Sequence, residues 1–328
     1  MLFGKRFLAC VFSLLACAAA TVPGVSSAQG FPDRPLKLVV GFPPGTPPDF
    51  IARLLGQKMA ESLKQPVVVD NRAGAGGQIA TQSVATSPAD GYTVLLAEVG
   101  SISIAPATFS KLPYDPARQL IPLTEVTRSD FVLVVPASSP SNTIKEFLVR
   151  SKSAKDRINF ATFGTGTPGH FGAELLGAAA GFKVEPIHFR QSGEALAALL
   201  SGDTTAAFLT TALAAPHIKV GKLKALASSG KARSAQLPSV PTFAESGLPE
   251  IEFSAWSALF APVGTPEPVI DRLSREIVAA MHSPEVKSKV EESGVTVTGT
   301  SRADATRMVK DEMRRWAAVV KQTGFKVE

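Results

Sequence analysis

A glycine-rich turn near the middle of the chain has the residue types of an anion-binding loop. The stretch INFATFGTGTPGHFGAELLG, residues 158–177, has the pattern of an apolar β-strand, then glycines and threonines, then a helix. Gly164, Gly166 and Gly169 have the G-x-G-x-x-G spacing of a dinucleotide site. Such turns present N–H groups at a helix N-terminus, where phosphates and carboxylates bind. The turn therefore indicates a site for a dinucleotide or for another anion.

Two further glycine turns follow predicted strands in the first third of the chain. In GFPPGTPPD, residues 41–49, Asp49 is expected to be the N-cap of the next helix. In DNRAGAGGQIA, residues 70–80, three glycines precede a helical pattern. One such turn can be purely structural, because tight βα turns need φ > 0. Three turns at strand ends, one of them rich in threonine hydroxyls, favour a cleft that binds a carboxylate.

Several charged residues near these turns leave alternatives open. His170 can bond the backbone of its own turn or contact the ligand, and Arg72 can pair with Asp70 or bind the ligand. Arg190 lies about twenty residues beyond the third turn, roughly where an NADP enzyme holds an arginine. It can also be a surface charge or the partner of a second carboxylate. Glu98 would repel a carboxylate, so either it points away or the ligand has a cationic or hydroxyl group there.

The sequence offers little for catalysis, cofactors or metals. The four histidines show no i, i+4 pair and no H-E-x-x-H, and there is no G-x-S-x-G elbow and no P-loop. We therefore expect no catalytic residues, no metal and no cofactor. G-x-G-x-x-G occurs often by chance, and an exported protein would lack a pool of dinucleotide, so a dinucleotide is the less favoured anion.

The first 28 residues have the pattern of a signal peptide. Lys5 and Arg6 precede an apolar run, and small residues suit cleavage after Ala28. The run is too short and too rich in alanine for a membrane anchor. The stretch LLAC ending at Cys17 also has the form of a lipobox, which leaves a lipid-anchored protein as the alternative. Both cysteines lie in this segment, so an exported mature chain would carry no thiol.

The composition excludes several classes of protein. The 328 residues include 34 basic and 28 acidic ones, a formal net charge of +6. A mild excess without a long basic run gives no case for nucleic-acid binding and fits a slight attraction for anions. With 45% hydrophobic residues the chain has ample core for about two domains, and we expect a monomer.

From residue 36 onward, apolar strands alternate with amphipathic helices, and the alternation returns after residue 130 without an exact repeat. This pattern predicts a parallel sheet covered on both faces. Two long helical patterns close the chain, and we expect them to return to the first unit, so that two crossover segments form a hinge. The expected division is a signal peptide over 1–28, a first lobe over 29–128, a second lobe over 129–254, and a helical return to the first lobe over 255–328.

An ordered set of segments along the chain resembles the Bug family of periplasmic solute-binding proteins, the receptors of the tripartite tricarboxylate transporter system. The set includes FPDRPLKLVVGFPPG, NRAGAGGQIA, FGTGTPGH, LPSVPTFAESGLPE and LFAPVGTPEPVIDRL. The resemblance implies an α/β, type II periplasmic-binding-protein fold, a Venus flytrap of two α/β lobes joined by a two-segment hinge, which closes on a small carboxylate. It also implies delivery of the ligand to the membrane permease of such a transporter. A signalling-only receptor read by a sensor ectodomain and an exported enzyme remain as alternatives.

In the Bug family, the ligand is held by the loop after the first strand and by the loop heading the second lobe. Combined with the turns above, the resemblance gives the predicted ligand-binding residues: Pro44, Gly45, Thr46, Asp49, Gly76, Thr162, Gly164, Thr165, Gly166, Thr167, His170 and Arg190.

The sequence departs from the usual family pattern around these loops. The first loop usually continues Pro-Gly-Gly, whereas here Gly45 is followed by Thr-Pro-Pro. Phe163 stands where a small residue is common, and Thr205 and Leu209 stand at the usual acidic places. These changes predict a somewhat more apolar pocket, suited to an aromatic or longer aliphatic acid. The resemblance leaves an aromatic or a dicarboxylic acid as the expected kind of small carboxylate.

Overall fold

The computed structural model describes residues 30–189 and 192–325. The predicted signal peptide and Arg190 lie outside the described residues. Residues from Arg34 onward form one compact unit, to which all contacts below belong.

The first half-sheet is built on three short parallel strands, β1 (Leu36–Val40), β2 (Val67–Asn71) and β3 (Thr93–Glu98). Strand β1 lies between the other two, with Val40 opposite Asn71 on one side and Leu96 on the other. Helix α1 (Pro47–Leu63) connects β1 to β2, and α2 (Gln78–Ala85) connects β2 to β3. Parallel neighbouring strands need such a crossover connection, which each of the two helices supplies here.

One long strand belongs to both halves of the sheet. After the short helices α3 (Ala105–Thr108) and α4 (Pro116–Gln119), β4 runs from Leu120 to Pro136. Up to Asp130 it pairs with a strand that returns from later in the chain, and from Phe131 it pairs with strands of the second half. The change of partners between these two residues makes β4 one of the connections between the halves.

The second half-sheet repeats the alternation of strand and helix. Its elements in chain order are α5 (Ile144–Ser153), β5 (Ile158–Thr162), α6 (Pro168–Ala180), β6 (Val184–His188), α7 (Ser192–Ser201), β7 (Ala206–Thr210), α8 (Thr211–Lys219) and β8 (Leu223–Ser228). Strand β5 is parallel to β6 and β7, whereas the second part of β4 is antiparallel to β7 and β8.

The C-terminal part of the chain returns to the first half-sheet. It comprises β9 (Ser254–Pro262), α9 (Glu267–Met281), α10 (Pro284–Glu292), β10 (Thr296–Val297) and α11 (Arg302–Thr323). The two predicted terminal helical patterns are confirmed as α9 and α11. The predicted parallel sheet is confirmed for β1 to β3 and for β5 to β7, but β9 inserts antiparallel between β3 and β4. A strand that re-enters the first half from the second must run against its neighbours there.

Buried aromatic rings join α11 to the return strand. Trp256 on β9 and Trp316 on α11 are 2% and 0% exposed, so both indoles belong to the core. Their indole N–H groups donate to the same oxygen, Oε2 of Glu312, at 3.2 and 3.1 Å. A buried carboxylate needs such partners, so Glu312 fixes α11 against β9 next to the crossover.

Candidate functional site

The carboxyl edges of the two half-sheets meet at β4. Asp130 pairs with Ser254 at the edge where β1 and β3 end, and Phe131 pairs with Thr210, the last residue of β7. The loop that follows β1 therefore starts from the edge of the first half-sheet, and the loop that follows β5 starts from the edge of the second. The two edges meet at the Asp130–Phe131 peptide of β4. In α/β sheets, ligands bind beyond such edges.

These two loops share a nine-residue pattern. Loop L1 is FPPGTPPDF (Phe42–Phe50), and loop L2 is FGTGTPGHF (Phe163–Phe171). Both read F-x-x-G-T-P-x-(D/H)-F. The two α/β units are not exact repeats of each other, but this nine-residue pattern recurs in both. Sequence reasoning missed this partial repeat.

The shared letters give the same backbone. Gly45 and Gly166 have φ of 81° and 76°, and the threonines that follow are the N-caps of α1 and α6 with φ, ψ of −83°, 161° and −85°, 159°. Thr46 Oγ1 donates to Pro43 O at 2.7 Å, and Thr167 Oγ1 donates to Gly164 O at 2.8 Å. Each proline occupies the first helical position, which needs no N–H donor.

Asp49 does not cap α1, contrary to the sequence prediction. The two prolines after Thr46 start the helix at Pro47, so Asp49 lies within its first turn. Its carboxylate turns back and accepts the N–H of Gly45 at 2.9 Å. His170 does the same in L2, where its Nδ1 accepts the N–H of Gly166 at 3.1 Å. Asp49 and His170 therefore have the same role in the two loops, since each accepts the N–H of the glycine four residues before it.

The carboxylate of Asp49 is the centre of a network around L1. Arg53 Nε donates to Oδ2 at 2.9 Å, and Asn71 Nδ2 donates to Oδ1 at 2.9 Å and to Phe42 O at 3.0 Å. The bond from Arg53, with those from Gly45 and Asn71, lowers the pKa of Asp49 to about 2 despite its burial. Asp49 is thus ionised at neutral pH, and its carboxylate holds L1 in place through these hydrogen bonds.

His170 is buried among rings. Its centroid lies 5.0 Å from that of Phe171, 4.9 Å from His188 and 5.1 Å from Phe325. Burial, together with His188, lowers the pKa of His170 to about 4. A neutral imidazole whose Nδ1 accepts a hydrogen bond carries its proton on Nε2. The structural alternative for His170, bonding its own turn, is therefore confirmed, and contact with a ligand stays a prediction.

The lowered pKa of His170 predicts a specific pH dependence of stability. Between pH 6.5 and about 4 the unfolded chain binds a proton at this residue that the folded chain does not, so the free energy of unfolding falls as the pH falls through this range. At one to two pKa units below 6.5 the loss is about 2 kcal/mol. His170→Asn keeps an acceptor for Gly166 without titrating. Urea unfolding at pH 7 and 4.5 should show a larger loss for the wild type than for H170N; equal losses would contradict the assignment.

Three of the predicted glycines leave room at the site. Gly45, Gly76 and Gly166 all have positive φ, and a Cβ built on any of them would have no heavy atom within 4 Å. These positions thus require glycine for their backbone rather than for close packing. The free space beside them is where a ligand could approach the main chain.

The other predicted residues fall into two groups. Pro44 lies on L1 directly before Gly45. Gly164 and Thr165 lie on L2 before Gly166, and Thr165 is exposed. Thr162 is buried, and its hydroxyl contacts His188 Nδ1 at 2.6 Å. Arg190 lies outside the described residues.

Arg72 binds Asp70 through Nε at 3.0 Å, which confirms the structural alternative given for it. Leu209 is 1% exposed in the core beneath α7 and α8. It therefore adds nothing apolar to an open pocket.

Sequence reasoning missed Arg53 and Asn71. Arg53 lies four residues after Asp49 on α1, a spacing that signals an ion pair on a helix. Asn71 ends β2 beside β1, a placement that only the strand pairing gives.

Among residues 30–189 and 192–325, no group of three or more His, Cys, Asp or Glu side chains could hold a metal ion. In the same part of the chain, none of the helices combines the length and the apolar character needed to cross a bilayer.

The strand order and the loops at the two carboxyl edges define a two-lobed solute-binding protein of the type II periplasmic-binding-protein fold. The family model described as "Tripartite tricarboxylate transporter family receptor" matches residues 51–325, so the chain belongs to this family. The resemblance seen in the sequence is thereby confirmed.

Known proteins agree with this assignment. Protein BugT of Bordetella pertussis is 35% identical over 324 residues, which cover 98% of this chain and 99% of BugT. The structure of the periplasmic binding protein BugD is 32% identical with a TM-score of 0.76, covering 90% of this chain and 100% of that one. Rpa4515 of R. palustris, solved with adipate, is 29% identical with a TM-score of 0.79, covering 90% and 99%.

Proposed function

We propose that this protein is a periplasmic receptor that captures a small carboxylate between its two lobes. The observation that carries the proposal is the pair of loops L1 and L2, each opening a helix at a carboxyl edge beside a positive-φ glycine that faces open space. Helix N-termini and free main-chain N–H groups, which L2 offers in particular, bind carboxylates without a buried cation. A solved relative, Rpa4515, is described with adipate, which supports a carboxylate as the ligand class.

The finer parts of the proposal follow from the sequence. Residues 1–28 direct export, residues 29–128 and 255–328 form the first lobe, and residues 129–254 form the second. The ligand stabilises the closed arrangement of the lobes, and the membrane subunits of a tripartite tricarboxylate-type transporter recognise the closed monomer. A receptor that reports to a membrane sensor is the alternative. Genes for two such membrane subunits beside this one would support transport.

Ligand capture is tested on mature protein purified from its source without refolding. We expect native mass spectrometry to show a retained small acid, and thermal shift to give a rise in Tm with some members of a panel of aliphatic, dicarboxylic and aromatic acids. A ligand at 100 times its Kd adds about 2.7 kcal/mol to the free energy of unfolding. No retained acid and no shift with any of them would overturn the proposal. Neutral sugars of similar size serve as the control and should give no shift.

A further inference from the structure

Loop L1 has few hydrogen-bond donors left for a ligand. Four of its nine residues are prolines, which have no N–H. Gly45 donates to Asp49, Phe50 N donates to Thr46 O at 2.9 Å, and both the N–H and the hydroxyl of Thr46 point to Pro43 O. What remains is the N–H groups of Phe42 and Asp49. The L1 side of the site is therefore poorly equipped to bind a carboxylate.

Loop L2 has the opposite character. It contains a single proline, Pro168, at the first position of α6. Gly169 and His170 follow in the first turn of the helix, where N–H groups have no partner within the helix. The exposed hydroxyl and N–H of Thr165 add further donors within the described residues. A carboxylate would find on L2 the donors that L1 lacks.

Glu98 adds an acid to the donor-poor side. It is the last residue of β3, two residues past Leu96, which lies opposite Val40 of β1. Two residues past Val40 the chain reaches Phe42, so Glu98 and the start of L1 leave the sheet side by side. The residues that follow Glu98 pack against the glycine turn after β2. A Cβ built on Gly77 of that turn would lie 3.6 Å from Ser101 Oγ and 3.8 Å from Phe42 Cε2, so Ser101 and the first residue of L1 both adjoin Gly77.

The carboxyl group of Glu98 is without a partner in the part of the chain that the structure describes. Opposite it on β9, Ser257 uses its hydroxyl with Thr127 Oγ1 at 2.5 Å. Two arginines that follow the neighbouring strands β1 and β2 are also paired, Arg53 with Asp49 and Arg72 with Asp70. Burial raises the pKa of Glu98 to about 7, as expected for an acid with no donor to stabilise its charge.

The charge of Glu98 determines which group of a ligand can bind beside it. A ligand carboxylate placed beside Glu98 would meet a like charge with few donors to offset it, whereas an ammonium would complete an ion pair out of bulk water. We propose that the ligand is an aminocarboxylate, with its carboxylate on L2 and its ammonium toward Glu98. This inference rests on the proposed function, and it adds an ammonium group to the carboxylate ligand of the same site.

The test compares acids that differ only at one end. Isothermal titration at pH 7.5 would use adipate against 6-aminohexanoate, glutarate against 5-aminopentanoate, and succinate against 4-aminobutyrate. In at least one pair we expect the aminocarboxylate to bind at least 10-fold more tightly than the dicarboxylate of equal length. Glu98→Gln keeps the size of the side chain and removes the charge. It should reduce that ratio at least 10-fold without lowering Tm, since no partner is lost.

Glu61→Gln is the matched control. Glu61 is an exposed acid on α1 bonded to Lys58, and its removal should leave the ratio unchanged. If the dicarboxylates bind more tightly, or if E98Q leaves the ratio unchanged, the aminocarboxylate proposal is overturned while a carboxylate receptor stands. If none of the six acids and no member of the wider panel binds, both proposals fail together.

Discussion

Gly166→Tyr is expected to weaken ligand binding at least 100-fold while leaving the fold intact. Gly166 has φ of +76°, and a Cβ built on it has no heavy atom within 4 Å, so a side chain can leave the backbone there without a clash at its base. The tyrosine ring would fill the space beside the donors of L2. The left-handed backbone costs about 1–2 kcal/mol for a residue with a Cβ, which lowers Tm without unfolding the protein. Isothermal titration with the acid found in the panel measures the effect.

Gly181 provides a matched control for this substitution. It ends α6 with φ of +75°, and a Cβ there would also meet nothing within 4 Å. Gly181→Tyr therefore carries the same backbone cost at a place remote from L2. We expect G181Y to lower Tm to a similar extent and to bind as the wild type does. A similar loss of affinity in both variants would mean that strain, rather than occupation of the site, explains G166Y.

Asp49→Ala is expected to lower the free energy of unfolding by about 1.5–3 kcal/mol, because it removes a buried charged acceptor that binds Gly45 N–H, Arg53 and Asn71. It should also loosen L1 and weaken binding. Urea unfolding at pH 7 measures the first effect. The contribution of Asp49 is present above pH 3.8 and is lost as the pH falls through about 2, so the two proteins should approach each other in stability only in strong acid.

Asp304→Ala is the control for Asp49→Ala. Asp304 occupies the same position in the first turn of α11, but its side chain is 48% exposed and that of Asp49 is 4% exposed. Water can replace Asp304 as an acceptor, so D304A should cost much less stability and leave ligand binding unchanged. Equal losses for the two variants would refute the special role of the L1 network.

The alternation of strands and helices could be predicted because it is local. An apolar strand and an amphipathic helix each show their burial within a few residues, as LKLVV and DFIARLLGQKMAESL do. The place of β9 could not be predicted in this way. FSAWSALFAP has no period that shows which edges it pairs with, and its partner β3 lies more than a hundred residues earlier. Pairing at such distance is set by the packing of the whole sheet.

The site was predictable to the extent that backbone geometry demands particular residues. Gly45, Gly76 and Gly166 were found because turns with positive φ select glycine. The role of Asp49 was predicted wrongly because Pro47 and Pro48 move the helix start ahead of it. Its partner Asn71 comes from a neighbouring strand, so the network around the carboxylate becomes visible only once β1 and β2 are paired.

The shared carboxylate of Glu312 gives this protein a built-in optical reporter. The chain has two tryptophans, and both indoles bond the same oxygen of Glu312. One of them, Trp256, pairs with Arg128 just before β4 changes partners. All tryptophan emission therefore arises beside the crossover between the lobes, in surroundings that any bending there would alter. The ligand-induced closure proposed above would accordingly be followed by a change of intrinsic fluorescence, in real time and without a dye.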